Sequence, residues 1–221
     1  MKSEIGAAST ILNASKDNTN FLYQITGINA LQAEEVNQIY NFKNKFDKLK
    51  EFGADIEFIK IVGGLDKKTN TRRNRFRNNL MYVDCCLPEI VSQLVLHYYS
   101  SMQNVKEITE TIKNENPLKF DYSDNQDFYE HKVKRLLTEC TLGLKPANIW
   151  RGEYEATGGY LIVKKDGEVV CYHIYDRNQF ENYLFNNTRF ETPDPTRHLF
   201  GNIFQENGEF FIKFNLQIRF I

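Results

Sequence analysis

The chain has 221 residues, of which 41% are hydrophobic and 26% are charged, and its formal net charge is −1. This composition predicts a globular protein of one domain or two small ones, and it excludes a disordered or strongly basic chain. Any nucleic-acid surface would therefore have to be a local patch. No apolar run reaches the roughly 20 residues of a membrane span. The four cysteines match no metal or disulfide spacing, and all except Cys86 lie in apolar surroundings, which predicts buried free thiols and a reducing cytoplasm.

The first 62 residues are predicted to form a loop, a strand, a helix and a second strand. Residues 1–20 are rich in Ser, Thr, Asn and Gly, as is typical of a loop, whereas residues 21–25 alternate like a strand. Apolar residues at helical spacing over 30–52 predict one helix that Gly53 ends. Residues 55–62 alternate again and predict a strand.

The middle of the chain reads as helical. The stretch 66–75 is polar and basic, and the apolar stretch 79–99 predicts a long buried helix that Pro88 either kinks or starts. Residues 127–144 predict a further helix that Asp127 caps and Gly143 ends. Residues 114–124 read as a connector. They are the best candidate for a domain boundary between a first region, 1–113, and a second region, 125–221, and one continuous domain is the alternative.

The C-terminal third is β-rich. Asp166-Gly167 and Asn207-Gly208 each stand between two apolar runs, which is a strong signal for a hairpin. A short helix is predicted between the hairpins, over 177–185. The predicted fold class is therefore α+β, a mixed sheet with flanking helices and C-terminal β-hairpins.

Three long stretches together resemble the HpaII family of type II restriction endonucleases, over essentially the whole chain. They are Lys2-Ser3 with Ile11–Lys16 and Thr19–Phe21; Ala156–Tyr160 with Tyr172–Tyr175; and Asn187–Thr192 with Arg197-His198 and Asn215–Phe220. The resemblance implies a Mg²⁺-dependent enzyme that cuts double-stranded DNA at a short palindrome of the CCGG type. It also implies a cognate DNA methyltransferase as a system partner without direct contact. A palindromic site suits a two-fold homodimer, although monomeric readers also exist.

The same resemblance implies a PD-(D/E)xK nuclease core in which Lys2 is the catalytic lysine. Such chemistry needs carboxylates to hold Mg²⁺ beside an ammonium group that orients water and stabilises charge. No acids of this motif match the sequence before Lys2, so we expect an incomplete core, no metal ligand from this chain and no activity from the chain alone. Asp55, Glu57 and Lys60 imitate the motif with the wrong spacing, and a solvated strand face is the better interpretation. A non-catalytic DNA-binding module or an inactive fragment is the alternative function.

Three patches carry residue types that bind phosphates or base edges. The alternative interpretation of each patch is structural: a solvated loop, turn caps or internal hydrogen bonds. The predicted DNA-binding residues are Asn13, Ser15, Lys16, Thr19 and Asn20 in the first patch; Arg72, Arg73, Arg75 and Arg77 in a basic run over 67–79; and Arg189, Asp194, Arg197 and His198 in the last.

Overall fold

The computed structural model describes residues 2–3, 9–66, 69–154, 159–163, 166–173 and 176–221. The helices in this part are α1 (Ala30–Asn37), α2 (Phe42–Glu51), α3 (Arg75–Val83), α4 (Leu87–Ser101), α5 (Val105–Glu115), α6 (Phe128–Leu142), α7 (Arg177–Asn186) and α8 (Pro195–His198). The strands are β1 (Lys2–Ser3), β2 (Thr10–Leu12), β3 (Asn20–Thr26), β4 (Asp55–Ile61), β5 (Gly64–Asp66), β6 (Thr71–Arg73), β7 (Gly159–Val163), β8 (Val169–His173), β9 (Thr188–Phe190), β10 (Phe204–Glu206), β11 (Glu209–Asn215) and β12 (Ile218–Phe220). The predicted α+β class is confirmed.

An antiparallel sheet of four strands, in the order β10-β11-β3-β4, lies at the centre. Its aromatic residues meet α4: the Tyr99 ring stacks on Phe214 with the ring centres 4.7 Å apart, and the Tyr23 hydroxyl donates to the Ser92 carbonyl at 2.7 Å. These four side chains are buried, and burial of large aromatic groups supplies much of a core's stability. The sheet and α4 therefore pack together in the hydrophobic core.

Two smaller sheets join distant parts of the chain. β2 and β9 both pair with β12, in antiparallel fashion. In the third sheet β1 runs parallel to β7, which pairs antiparallel with β8, so this sheet is mixed as predicted. Strands from both predicted regions, 1–113 and 125–221, thus share sheets, while the proposed domain boundary between them stays a prediction.

The local turn and cap signals gave the right elements. Asp127 caps α6, and Gly143 ends it with a positive φ of 138°. Asn207 and Gly208 both have positive φ, as a two-residue hairpin between β10 and β11 requires. Pro88 lies in the first turn of α4, so the interpretation in which it starts a helix is confirmed. The single long helix predicted over 79–99 is wrong, because this stretch is divided between α3 and α4.

Two predictions were wrong in ways that matter for the site. The helix expected over 30–52 is two helices, because the Asn41 side chain accepts from the Asn44 N–H at 3.0 Å and starts a new one. The loop expected over 1–20 contains strands β1 and β2. The hairpin β5–β6 was not predicted.

Among the described residues no single helix has the length and apolarity needed to cross a membrane. The pair α3 and α4, bent by 112°, passes that test by length and composition together. Most apolar side chains of this pair are buried in the core. The prediction of buried thiols was wrong for Cys85 and Cys171, which are exposed, and right for Cys140.

Candidate nucleic-acid interface

A buried amide cluster holds the loop over residues 13–19. Asn215, at the end of β11, donates through Nδ2 to the Ser15 carbonyl at 3.1 Å and to Asn20 Oδ1 at 2.6 Å. The Thr19 hydroxyl accepts from the Ser15 N–H at 2.8 Å and lies 3.1 Å from Asn215 Oδ1. Since buried polar groups are costly unless bonded, this cluster fixes the loop in one conformation.

Burial divides the first predicted patch into two kinds of residue. Thr19 and Asn20 are buried at 0% and 1% exposure, and their side chains bond within the protein. Asn13 and Lys16 are exposed, and Ser15 is half-buried. The loop therefore presents an ammonium group and short polar side chains to solvent, while the two buried residues position it.

The short helix α8 is hydrogen-bonded to Asn20, the residue that follows this loop. Asp194 Oδ1 accepts from the Arg197 N–H at 3.0 Å and so caps the helix, and both side chains are exposed. The His198 carbonyl accepts from Asn20 Nδ2 at 2.9 Å, across 178 positions of sequence. The first and last predicted patches thus lie side by side.

One ring nitrogen of His198, which lies at the contact between α8 and Asn20, has no hydrogen-bond partner among the described residues. This atom, Nδ1, is buried. Burial, and secondly the Arg197 guanidinium, lower the pKa of His198 below its ordinary 6.5, with Asp194 opposing them. The imidazole is therefore neutral near pH 7, and it can either donate or accept a hydrogen bond.

The basic hairpin, β5–β6, packs against the same loop. Gly64 is so close that a methyl group in place of its hydrogen would lie 3.1 Å from the Asp17 carbonyl oxygen. Within the hairpin, Asp66 Oδ2 accepts from Arg73 Nε at 3.1 Å and from Arg75 Nη2 at 3.0 Å. One carboxylate therefore offsets part of the charge of two arginines.

Two other arginines of the basic run have no carboxylate at ion-pair distance in the described part of the chain. Arg72 is exposed and donates only to the Gly63 carbonyl, at 3.3 Å. Arg77 lies on α3 and is half-buried. Lys67 and Lys68, which begin the run, lie outside the described residues. Arg72 is thus the cation of the described hairpin that is best placed to meet a phosphate.

The sheet β2-β12-β9 continues the polar surface. Arg189 on β9 stands opposite Arg219 on β12, which the sequence analysis had not singled out. Glu191 lies 2.5 Å from Arg219 Nε and 3.6 Å from Arg189 Nη2, so two guanidinium groups share one carboxylate. Arg189 is exposed, and β2 leads from this sheet into the 13–19 loop. All three predicted patches therefore converge around that loop.

The backbone of Lys2 is held by strand pairing. It pairs with Ile162 of β7 in the parallel arrangement, and Ser3 pairs with Val163. Asp55 and Glu57, which imitate a nuclease motif, are exposed on β4. Asp55 and Glu57 belong to the central sheet, whereas Lys2 belongs to the sheet β1-β7-β8, so these acids and Lys2 are in different sheets.

One group of three candidate metal ligands occurs among the described residues: Asp84, Cys85 and Cys86, whose ligand atoms lie within 4.8 Å of one another. Asp84 is already paired with the Lys132 ammonium at 2.5 Å. Mg²⁺ prefers oxygen ligands and near-ideal octahedral geometry. Two thiols beside an occupied carboxylate do not fit this ion.

Comparisons with known proteins decide the family. The family model described as HpaII restriction endonuclease matches residues 1–220. The chain belongs to the HpaII restriction endonuclease family. It is 44% identical to the type II restriction enzyme HpaII of Haemophilus parainfluenzae over 222 residues, which cover 100% of this chain and 59% of that enzyme. No solved structure matches the chain.

Proposed function

We propose that this chain serves a type II restriction endonuclease that binds double-stranded DNA and hydrolyses it at a short palindrome of the CCGG type. The observation that carries the proposal is the family match across residues 1–220, supported by 44% identity along the whole chain. The chain spans 59% of the length of that relative, so activity, substrate and partners are all part of the proposal. A two-fold homodimer on the palindrome and a cognate methyltransferase in the same system complete it.

The converging patches suit a DNA duplex. Lys16 and Arg72 are exposed cations that we assign to phosphates, because such contacts position a protein on the duplex. Arg189 and Arg197 are assigned to guanine edges, and Asp194 to the amino group of cytosine, as geometry favours in the major groove. Thr19 and Asn20 act by holding the loop, and Arg73 and Arg75 act by shaping the hairpin.

The chemistry assigned to Lys2 is charge stabilisation and orientation of the attacking water at the scissile phosphate. Type II restriction endonucleases generally use divalent metal ions, and Mg²⁺ is the ion we propose. The group Asp84, Cys85 and Cys86 does not fit this ion and is not assigned a role in the reaction. The chain spans 59% of the length of its HpaII relative, and we propose that the 221 residues alone bind DNA without cutting it.

A non-catalytic DNA-binding module is the second candidate, and the polar and basic patches that meet at the 13–19 loop favour it. The test incubates the chain with a labelled duplex containing CCGG and with a scrambled duplex, over a range of salt concentrations. We expect binding that weakens steeply with salt, and Arg72→Gln should reduce the slope of log K against log salt by about 1. Lys106→Gln, which removes an exposed cation of α5, is the matched control and should leave the slope unchanged.

Cleavage is assayed in parallel on plasmid DNA with Mg²⁺. Defined fragments that Lys2→Ala abolishes would establish catalysis by this chain and overturn the expected inactivity. Binding without fragments is the result expected for this chain alone, and it agrees with the module as well. Failure to bind either duplex would refute a DNA-binding role, and equal affinity for the two duplexes would refute recognition of the CCGG site.

A further inference from the structure

A cleft of about 810 Å³ opens between the connection from α1 to α2 and the segment that follows α8. Tyr40, Phe42 and Lys45 line one wall, and Leu199 and Lys213 lie on the other. Such a volume is typical of a small-molecule or nucleotide site. The break between α1 and α2, which the sequence pattern did not predict, forms its rim.

Lys45 places a buried positive charge in the wall of this cleft. Its side chain belongs to a residue with 4% exposure, and Nζ donates to the Gly201 carbonyl at 2.8 Å and to Asn202 Oδ1 at 3.4 Å. Both acceptors are neutral, and no carboxylate among the described residues lies at ion-pair distance. Burial lowers the pKa of Lys45 from its ordinary 10.5 to about 8.

An uncompensated buried cation is costly, and an ammonium group has three N–H donors, of which two are used here. A bound anion would offset the cost and accept the third hydrogen bond. The other residues that line the cleft also favour an anion. Lys213 is a second cation, and no Asp or Glu lines the cleft in the described part of the chain. The cleft is therefore suited to an anion, and a phosphate is the anion that DNA carries.

Tyr40 adds a flat, unoccupied surface at the rim. It is 98% exposed and makes no ring contact among the described residues. Bases stack on such rings without regard to sequence, because every base has a π-face. A ligand that satisfies both features combines a phosphate with a flat aromatic ring.

We propose that the cleft binds one unstacked nucleotide of the DNA, with its phosphate at Lys45 and Lys213 and its base on Tyr40. This inference rests on the proposed function for the source of the nucleotide. DNA is the favoured source because Pro195 and Thr196 of α8 line the cleft, next to the exposed side chains of the predicted DNA surface. A strand that crosses α8 passes the mouth of the cleft.

The first experiment titrates the full chain with deoxycytidine 5′-monophosphate and follows the NMR signals of the Lys45 and Tyr40 side chains. Tyr40→Ala should weaken binding roughly 5- to 150-fold, the range expected for loss of one stacked base. Lys213→Gln and Lys45→Gln should weaken it as well. Lys43→Gln is the matched control, since Lys43 is an exposed lysine of α2 that does not line the cleft.

Inorganic phosphate alone provides a second arm. It should shift the Lys45 signals more weakly than the nucleotide does, and Tyr40→Ala should not change its affinity. Melting temperatures show whether Lys45→Gln folds; if it does not, Tyr40→Ala and Lys213→Gln carry the test, because neither removes a buried group. Unchanged Lys45 and Tyr40 signals with the nucleotide, or equal affinity in all variants, would overturn the proposal.

The second experiment identifies the source of the nucleotide. Duplexes carrying 2-aminopurine at successive positions of the site report unstacking by increased fluorescence, which we expect with the native chain and not with Tyr40→Ala at saturation. Duplex binding without any increase would refute the inference and leave the proposed function standing. Nucleotide binding without duplex binding would refute the proposed function and the assignment to DNA, while the cleft would remain a nucleotide site.

Discussion

Replacing Thr19 by Val tests whether the amide cluster positions the 13–19 loop. The substitution keeps the β-branched shape and removes the hydroxyl. The Ser15 N–H then loses its acceptor at 2.8 Å, and Asn215 Oδ1 loses its contact at 3.1 Å. Thr19 has 0% exposure, so water cannot replace the hydroxyl without opening the loop.

The expected cost follows from those two lost partners. A buried polar group left unsatisfied costs about 1–3 kcal/mol. The loss of the hydroxyl affects two partners, one of them on the half-buried Ser15, and the estimate is the middle of this range, about 2 kcal/mol. For a chain of this size, each kcal/mol lowers the melting temperature by roughly 2–4 °C, so we expect a decrease of roughly 4–8 °C.

Thr109→Val is the matched control. Thr109 is also buried, at 2% exposure, and its hydroxyl donates to the Val105 carbonyl at 2.7 Å within α5. That carbonyl also belongs to the helix ladder, so the free energy of unfolding should change by less than about 1 kcal/mol. Urea unfolding and DNA affinity are measured for both variants. Equal losses of stability in the two, or an unchanged DNA affinity for Thr19→Val, would refute the positioning role.

Two further predictions concern the cleft. Gly201 has a φ of +89°, and a methyl group there would lie 2.7 Å from Phe42 Cε1. Gly201→Ala should therefore lower the unfolding free energy by about 1–3 kcal/mol more than Gly208→Ala, where nothing lies within 4 Å of the added methyl group. Urea unfolding measures both variants, and equal effects would contradict the packing of Gly201 against Phe42. Since the pKa of Lys45 is about 8 in the folded chain and ordinarily 10.5, the unfolded chain binds more protons between these values, and the unfolding free energy should rise with pH across that window. Lys45→Met should remove that part of the rise in phosphate-free buffer, and an identical pH profile would show that the ammonium is not buried.

The elements that were predicted correctly have their determinants within a few residues. Asn207-Gly208 sets a hairpin by backbone preference alone, and Asp127 caps α6 through a side chain three positions away from its partner. The break at Asn41 also has a local cause, but the apolar spacing continues across it and hides it. A capping Asn in a helical pattern is the signal that would have revealed this break.

The elements that were missed depend on distant partners. β2 has three residues, and its partner β12 lies some 200 positions later in the chain, so the residues near Thr10 carry no local pattern that predicts a strand. The contact of Asn20 with His198 has the same origin. The residue types of the interface could therefore be predicted from the sequence, whereas their proximity depends on the pairing of distant strands. Asn215 was detectable, since an amide in a strongly apolar strand indicates a buried hydrogen-bonding role.

This dependence on distant pairing makes the interface a property of the folded sheets. The 13–19 loop takes its conformation from Asn215, and Asn215 reaches it only when β11 pairs with β3. α8 is then held beside the loop by the bond from Asn20 to the His198 carbonyl. A change in the amide cluster must therefore disturb the loop and α8 together, whereas a change in an exposed residue such as Arg72 removes one contact. Loss of several DNA contacts from one buried substitution is the behaviour that separates a positioned surface from a set of independent charges.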